Sequence, residues 1–338
     1  MHKLALLALS SLALGACSKD KAKKPAPGPD LGSVPNAKVD PGLPKPSVVV
    51  TLSVDWEGAY LSEAGLLAMT KFRKKWGNTP LTHFICPAYF VSPQNFSDVP
   101  ERIKEQVLDG DEVGLHVHSW FSLATLAGIT PRNSPNFYAD DTPILSFENG
   151  DRGYEVALSA YQPQELDALI AASTALLESN GLGKPTAFRS GGYVASPAVL
   201  NAVRSAGMHV DSSAAWSVWF DEAQGDFQSE IARMWPNLQE LTQPYGIDTP
   251  AGAIIEVPNT GSFAEYASAD EMLGHLQRAA VQSQSTGAPV YVNFGVHQES
   301  ADEHIELMSY ALDDFKKDHP DVIRFSTVTK VANAALGK

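Results

Sequence analysis

From Ser47 onward, short apolar runs alternate with longer stretches in which apolar residues recur every three or four positions. The first pattern belongs to buried strands, the second to amphipathic helices. The runs predict strands at Val48–Val54, Leu81–Cys86, Glu112–Val117, Thr186–Arg189, Met208–Asp211, Ala253–Val257 and Val290–Val296. Helices are predicted around Ser62–Trp76, Pro100–Leu108, Pro163–Ser179, Pro197–Ala206, Ala269–Gln284 and Asp302–Lys317, with a short one near Thr327–Leu336. Ser196-Pro197 and Ser268-Ala269-Asp270-Glu271 carry cap and first-turn signals. Gly181, Gly207 and Gly287 stand where helices stop. Repeated β-then-α order implies a parallel sheet, open or closed into a barrel, and about seven strands suit a barrel slightly smaller than the eight-stranded form. Two connections, 119–162 and 212–252, are too long for plain turns and are rich in aromatic residues, as suits segments that build a cleft at an active face.

Before Ser47 the pattern is different. Leu4 to Leu14 is an apolar stretch of signal-peptide length behind His2 and Lys3, short for a membrane span. Leu14-Gly15-Ala16-Cys17 resembles a bacterial lipobox. On that reading residues 1–17 are a lipoprotein signal ending in a lipidated Cys17, which anchors the chain in the cell envelope. Ser18 follows, with no inner-membrane retention Asp, which favours the outer membrane. Residues 18–46 hold seven prolines, six lysines and no apolar period, and read as a disordered tether. The remaining residues, 47–338, make the folded domain. The formal net charge of −14 argues against a nucleic-acid partner. With Cys17 used for lipid, only Cys86 is left, so no intramolecular disulfide forms; in the run Phe84-Ile85-Cys86 it reads as a small buried hydrophobe.

Candidate chemistry lies at strand ends. Asp55-Trp56-Glu57 closes the first strand and His116-Val117-His118 closes the third. Residues two apart in a strand share a face, so each pair aims two side chains one way. Two imidazoles and one carboxylate form a common catalytic zinc set that leaves a position for water, and the second carboxylate can take a proton. Glu57 has the longer reach and reads as the ligand, with Asp55 as the base; the exchange of these roles stays open. Oxygen and imidazole donors suit Zn²⁺, Co²⁺, Ni²⁺ or Fe²⁺. Phe188-Arg189-Ser190-Gly191-Gly192-Tyr193 ends another strand, where Arg189 can hold a carboxylate base by two parallel hydrogen bonds. Asp211 ends the next strand, as a site residue or as a turn Asp before Ser212-Ser213. His297 ends the last and can protonate a leaving group, or sit in an exposed loop. No Gly-x-Ser-x-Gly elbow is present, which disfavours a serine hydrolase.

In this order the pieces resemble the polysaccharide deacetylase family, the NodB homology or carbohydrate esterase family 4 domain. Thr51-Leu52-Ser53-Val54-Asp55-Trp56-Glu57-Gly58 is similar to its first motif, Glu112 to His118 to its second and Phe188 to Tyr193 to its third. Asp211 falls where the fourth is expected, His297 looks like the acid of the fifth, and Thr82-His83-Phe84 sits at its second-strand Thr-x-Phe. The resemblance implies a distorted seven-stranded (β/α) barrel and metal-dependent removal of acetyl groups from an N- or O-acetylated glycan. It implies Asp55, Arg189, Asp211 and His297 as catalytic residues and Glu57, His116 and His118 as metal ligands. A backbone N–H near Tyr193 would serve the oxyanion, and Trp120, Trp216 and Trp219 are candidates to stack on sugar rings. Departures mark a divergent branch: Trp56 separates the two acids, Trp120 stands where the second motif usually has its second His, and Gly191 replaces a Pro. Two other readings are a barrel that binds glycan without turnover and a metal-dependent hydrolase of a C–N amide outside sugars.

Overall fold

The first strand, β1 (Val48–Trp56), is buried along its whole length, as an unbroken apolar run requires in a parallel sheet. Around it the computed structural model describes residues 46–94, 98–138, 143–221, 223, 226–335 and 337. The signal and lipobox, and all of the tether but Pro46, lie outside the described residues. Among the described residues no helix is long and apolar enough to cross a membrane.

The other strands are β2 (Thr82–Ile85), β3 (Glu112–Val117), β4 (Ala187–Ser190), β5 (Val210–Asp211), β6 (Tyr245–Thr249), β7 (Gly252–Glu256), β8 (Val290–His297) and β9 (Ile323–Ser326). The hydrogen-bonded path runs β6-β7-β5-β4-β3-β2-β1-β8, with β9 on β1. All seven expected strands are present. Two more add to them: β6 is an antiparallel partner of β7, and β9 takes the N-terminal half of the β1 edge that β2 leaves open. β6 alternates half-buried and exposed residues through Gly246 and Asp248, a weak apolar signal.

Among the described residues the sheet curls into a distorted barrel whose seam, between β6 and β8 at the two ends of the path, has no regular ladder. It is closed at the mouth by the chain beyond β7. Gly261 N–H donates to Asn293 O (3.1 Å), Gly295 N–H to Ser262 O (3.0 Å) and Ala264 N–H to Gly295 O (2.9 Å). Lower down, the Gln243 side-chain amide takes the place of a strand. Its Oε1 accepts from Tyr291 N–H (2.8 Å) and its Nε2 donates to Tyr291 O (3.3 Å).

Helices α1 (Glu63–Lys75), α2 (Val99–Gln106), α3 (Phe121–Leu126), α4 (Pro163–Ser179), α5 (Pro197–Ser205), α6 (Phe227–Met234), α7 (Ala269–Thr286) and α8 (Ala301–Asp318) pack outside, and α9 (Val328–Ala335) ends the fold. α3 and α6 lie within the two long connections. α7 starts at a Ser268/Glu271 capping box and stops at Gly287, whose φ of +66° suits glycine. Strand alternation gives two apolar cores. One fills the space between sheet and helices. The other, with Val49, Phe84, Ala187, Val210 and Ile255, fills the barrel floor against Val328, Val331 and Ala332 of α9. Buried Glu112 and Thr82 receive the N–H groups of Thr329 (3.0 Å) and Val328 (3.1 Å), capping α9 from inside the barrel. A plugged floor leaves the C-terminal strand ends as the mouth.

Candidate metal centre

Register carries one set of side chains to the mouth. Asp55 pairs with Phe84 on β2 and His297 on β8, and His116 pairs with Arg189 on β4. Residues level with one another in a sheet share a face, so Asp55, His116, Arg189 and His297 all point inward, with Glu57 and His118 one step further along.

Glu57 lies at the centre, 1% exposed. Its Oε2 is 2.6 Å from His118 Nε2 and 3.4 Å from His116 Nε2, and its Oε1 is 3.2 Å from His297 Nε2. The tautomers of the first two rings follow from their other nitrogens. His116 Nδ1 is 2.9 Å from Arg189 O and His118 Nδ1 is 2.7 Å from Tyr154 O. A carbonyl only accepts, so each Nδ1 carries a hydrogen and each neutral ring turns its Nε2 lone pair on the carboxylate. Such contacts are repulsive unless a proton or a cation is shared between them. Glu57, His116 and His118 present ligand atoms within 4.8 Å of one another, and the donor set is one that divalent zinc-like ions take. These residues fit an ion. Asp55, Glu57 and His297 form a second, overlapping group within the same limit.

Charge is distributed accordingly. Burial works against ionised Glu57, but His118 and His116 outweigh it and hold its pKa well below the ordinary value. Burial lowers the pKa of His118, whereas at His116 the charges of Glu57 and Asp55 overcome burial and raise it.

Arg189 holds Asp55 by a different geometry from the one expected. Nη1 gives one bond to Asp55 Oδ1 (2.5 Å) and one to Ser53 Oγ (3.0 Å), not two to the carboxylate. Nε donates to Ser212 O (2.9 Å), and Nη2 to Ser212 Oγ (3.1 Å) and Asn259 Oδ1 (2.6 Å). All five guanidinium hydrogens are used, and the rings of Phe84 and Phe263 lie 4.1 and 5.2 Å from its carbon.

His297, 17% exposed, borders the opening. Its Nδ1 is 3.2 Å from Glu265 Oε1, which also accepts from His297 N–H (2.9 Å) and Ser300 Oγ (2.6 Å). Burial opposes its charge, but Glu265, then Glu57 and Asp55, raise its pKa to about 10. Opposite, Glu299 Oε1 accepts from Glu57 N–H (3.2 Å) and Tyr89 OH (2.7 Å), and burial with the charge of Glu57 raises the Glu299 pKa to about 8.

Two expected residues stand elsewhere. Asp211 is level with Phe188, so it faces the outside of the barrel and meets Glu256 of β7 and Ser213 Oγ (2.6 Å). The residue level with Arg189 is Ser212, one position on, and with Asn259 it supplies the contacts expected of an acid. Trp120 is fully buried. Its Nε1 donates to Glu57 O (2.9 Å) and its ring packs on Phe147 and Tyr154, which leaves no face for a sugar. Trp216 is half-buried, edge-on to Trp219, whose Nε1 donates to Thr260 O (2.8 Å). Tyr193 is buried in the wall beside Phe220 and Phe263, at φ +60°, and its hydroxyl has no partner among the described residues. A Cβ on Gly191 would come 2.6 Å from the His118 ring, so glycine replaces the Pro of the usual third motif for lack of room. Cys86 is buried with its thiol pKa raised to about 12, as an inert hydrophobe requires.

Ser53 and Asn293, which join the Arg189 network, lie two and four positions before Asp55 and His297, and strand alternation marks them in the sequence. Glu299 lies two beyond His297 on a short 3-10 turn, where that alternation ends. Asn259 and Glu265 lie on the irregular segment after β7, where no period exists.

No family model matches the chain, and no curated protein matches it. Among solved structures, a candidate polysaccharide deacetylase from Mycobacterium smegmatis matches with a TM-score of 0.54 at 12% identity, over 90% of this chain and 95% of that one. The fold is that of the polysaccharide deacetylases. A second candidate deacetylase with this fold, from Pseudomonas aeruginosa, matches at 0.50 and 16% identity over 86% and 93% of the two chains. Puue allantoinase matches at 0.54 and 14% identity over 90% and 94%. The deacetylase fold explains why every inward group above lies at the C-terminal strand ends, where (β/α) barrels build their sites.

Proposed function

We propose that the protein is a metal-dependent hydrolase that removes acetyl groups from an N- or O-acetylated glycan of the bacterial cell envelope. The observation that carries this reading is Glu57, set between two histidines whose tautomers present lone pairs to it, with an Arg-held Asp on one side and a Glu-held His on the other. A divalent ion, Zn²⁺ by donor chemistry, would be held by Glu57, His116 and His118 and would supply Lewis acidity at the acyl oxygen.

The chain's own groups supply the proton traffic. Asp55, hydrogen-bonded to Arg189, takes a proton from the attacking water. His297, kept protonated by Glu265, gives one to the leaving nitrogen or oxygen. A backbone N–H near Tyr193 adds a donor for the developing oxyanion. Lipidation at Cys17 would tether this chemistry to the outer membrane; retention of lipid label by wild-type protein and its loss in Cys17→Ser tests that part.

The test of function is acetate release from N-acetylated and O-acetylated oligosaccharides by zinc- or cobalt-loaded protein. His116→Ala should abolish release. A protein that binds the ion and the sugar but frees no acetate would instead be a glycan-binding barrel. A second reading has the same groups cleave a C–N amide outside sugars; Puue allantoinase matches the fold at the same TM-score as the first deacetylase. Ammonia or amine release from sugar-free amides, with none from glycans, would select it.

A further inference from the structure

Trp56 is the residue that breaks the usual adjacency of the first-motif acids. It lies between Asp55 and Glu57 in the chain and on the opposite face of β1, fully buried. Its indole Nε1 donates to His83 Nδ1 on β2 (3.2 Å). His83 Nε2 lies 3.2 Å from Asp111 Oδ2, in the turn before β3. Asp111 takes two bonds from Arg73 of α1, Nη1 to Oδ2 (2.5 Å) and Nη2 to Oδ1 (3.0 Å), and also accepts from Leu81 N–H (2.9 Å) and Leu108 N–H (2.8 Å).

The direction of this chain is forced. An indole N–H only donates, so His83 Nδ1 must be bare. Its Nε2 then carries the hydrogen and donates to Asp111. Asp111 is surrounded by donors and remains a carboxylate, which Arg73 balances. The chain is buried at each link, so neither Trp56 nor Asp111 can exchange its partner for water.

We infer that Trp56 is a positioning residue, held through His83, Asp111 and Arg73, that sets the aim of the two acids on either side of it. The inference rests on the metal-hydrolase reading and extends it to four residues that touch neither ion nor substrate. The backbone on each side of the indole is also fixed. Cys86 N–H donates to Trp56 O (2.9 Å), Glu57 N–H donates to Glu299, and Trp120 Nε1 donates to Glu57 O. A rotation of the indole toward another acceptor would turn the last residues of β1 and move Asp55 and Glu57 together.

Three variants test this with cobalt-loaded protein, read by the cobalt visible spectrum, cobalt affinity, kcat, KM and Tm. Trp56→Phe keeps the ring and removes the donor. His83→Leu removes both of its bonds. His83→Asn keeps an acceptor near the Nδ1 position and loses the link to Asp111. Cobalt affinity and kcat should fall about 10- to 100-fold in Trp56→Phe and His83→Leu, with an altered cobalt spectrum and little change in KM. His83→Asn should lose Tm as His83→Leu does, yet retain affinity and spectrum close to wild type. Unchanged cobalt binding in Trp56→Phe, or equal losses in both His83 variants that follow Tm, would overturn the positioning role. Wild-type protein that takes up no cobalt would overturn the metal-hydrolase reading, and this inference with it.

Discussion

The barrel buries two pairs of carboxyl groups near the same end of its sheet, on opposite faces of the wall. Asp55 and Glu57 point inward and meet Arg189, His116, His118 and His297. Asp211 and Glu256 point outward and meet each other, Ser213 and the Ala214 N–H. Burial works against the charged form of Glu57, Asp211 and Glu256 alike; what differs is the neighbours. Inside, burial is outweighed by His118 and His116, which hold Glu57 well down. Outside, burial and the charge of Asp211 push Glu256 well up, and burial pushes Asp211 up as well. The charged form of a glutamate is favoured on one face of the wall and disfavoured on the other.

Five changes would break or sharpen this contrast. Arg189→Met leaves Asp55 buried without its counter-charge, and should destabilise the fold by about 3–5 kcal/mol and abolish activity, read by denaturant titration and acetate release. Asp55→Asn should leave the fold and ion binding intact and lower kcat about 10²- to 10⁴-fold. Asp211→Asn, on the outer face, should leave kcat unchanged; a comparable loss would return Asp211 to the catalytic set.

Glu265→Gln removes the charge that raises His297. Because the acid must be protonated to act, the alkaline limb of kcat should move to lower pH. A limb that stays in place would show that His297 is not the acid.

The smallest effect concerns the outer pair and stability alone. Both folded pKa values lie above the ordinary 3.8 and 4.5. Stabilisation from protonating these groups is therefore complete below the ordinary values and is lost as pH rises through the folded ones. Wild-type Tm should decline on that side, and Glu256→Gln, which offers an amide N–H to Asp211, should flatten the decline in a Tm–pH series.

Much of the site is legible in the amino-acid sequence. Asp55, Glu57, His116, His118, Arg189 and His297 all lie at predicted strand ends, and all six meet. Sequence reasoning misplaces Asp211 by one residue because β5 is two residues long, too short for its alternation to show which face each position takes. It makes Trp120 a sugar platform because an aromatic residue after a strand end looks alike in a cleft and in a wall. The bond from Trp120 to Glu57 O, across 63 positions of chain, separates the two.

Among the described residues the amino-acid pattern determined seven of the nine strands, seven of the nine helices and, in the longer strands, which pairs share a face, because those periods are local properties of the backbone. It could not determine that Ser212 and Asn259 surround Arg189, that Glu265 orients His297, or that Trp56 is tied to Arg73. Those facts depend on strand order, register and an irregular closing segment, and neighbours brought together from distant parts of the chain leave no local period to read.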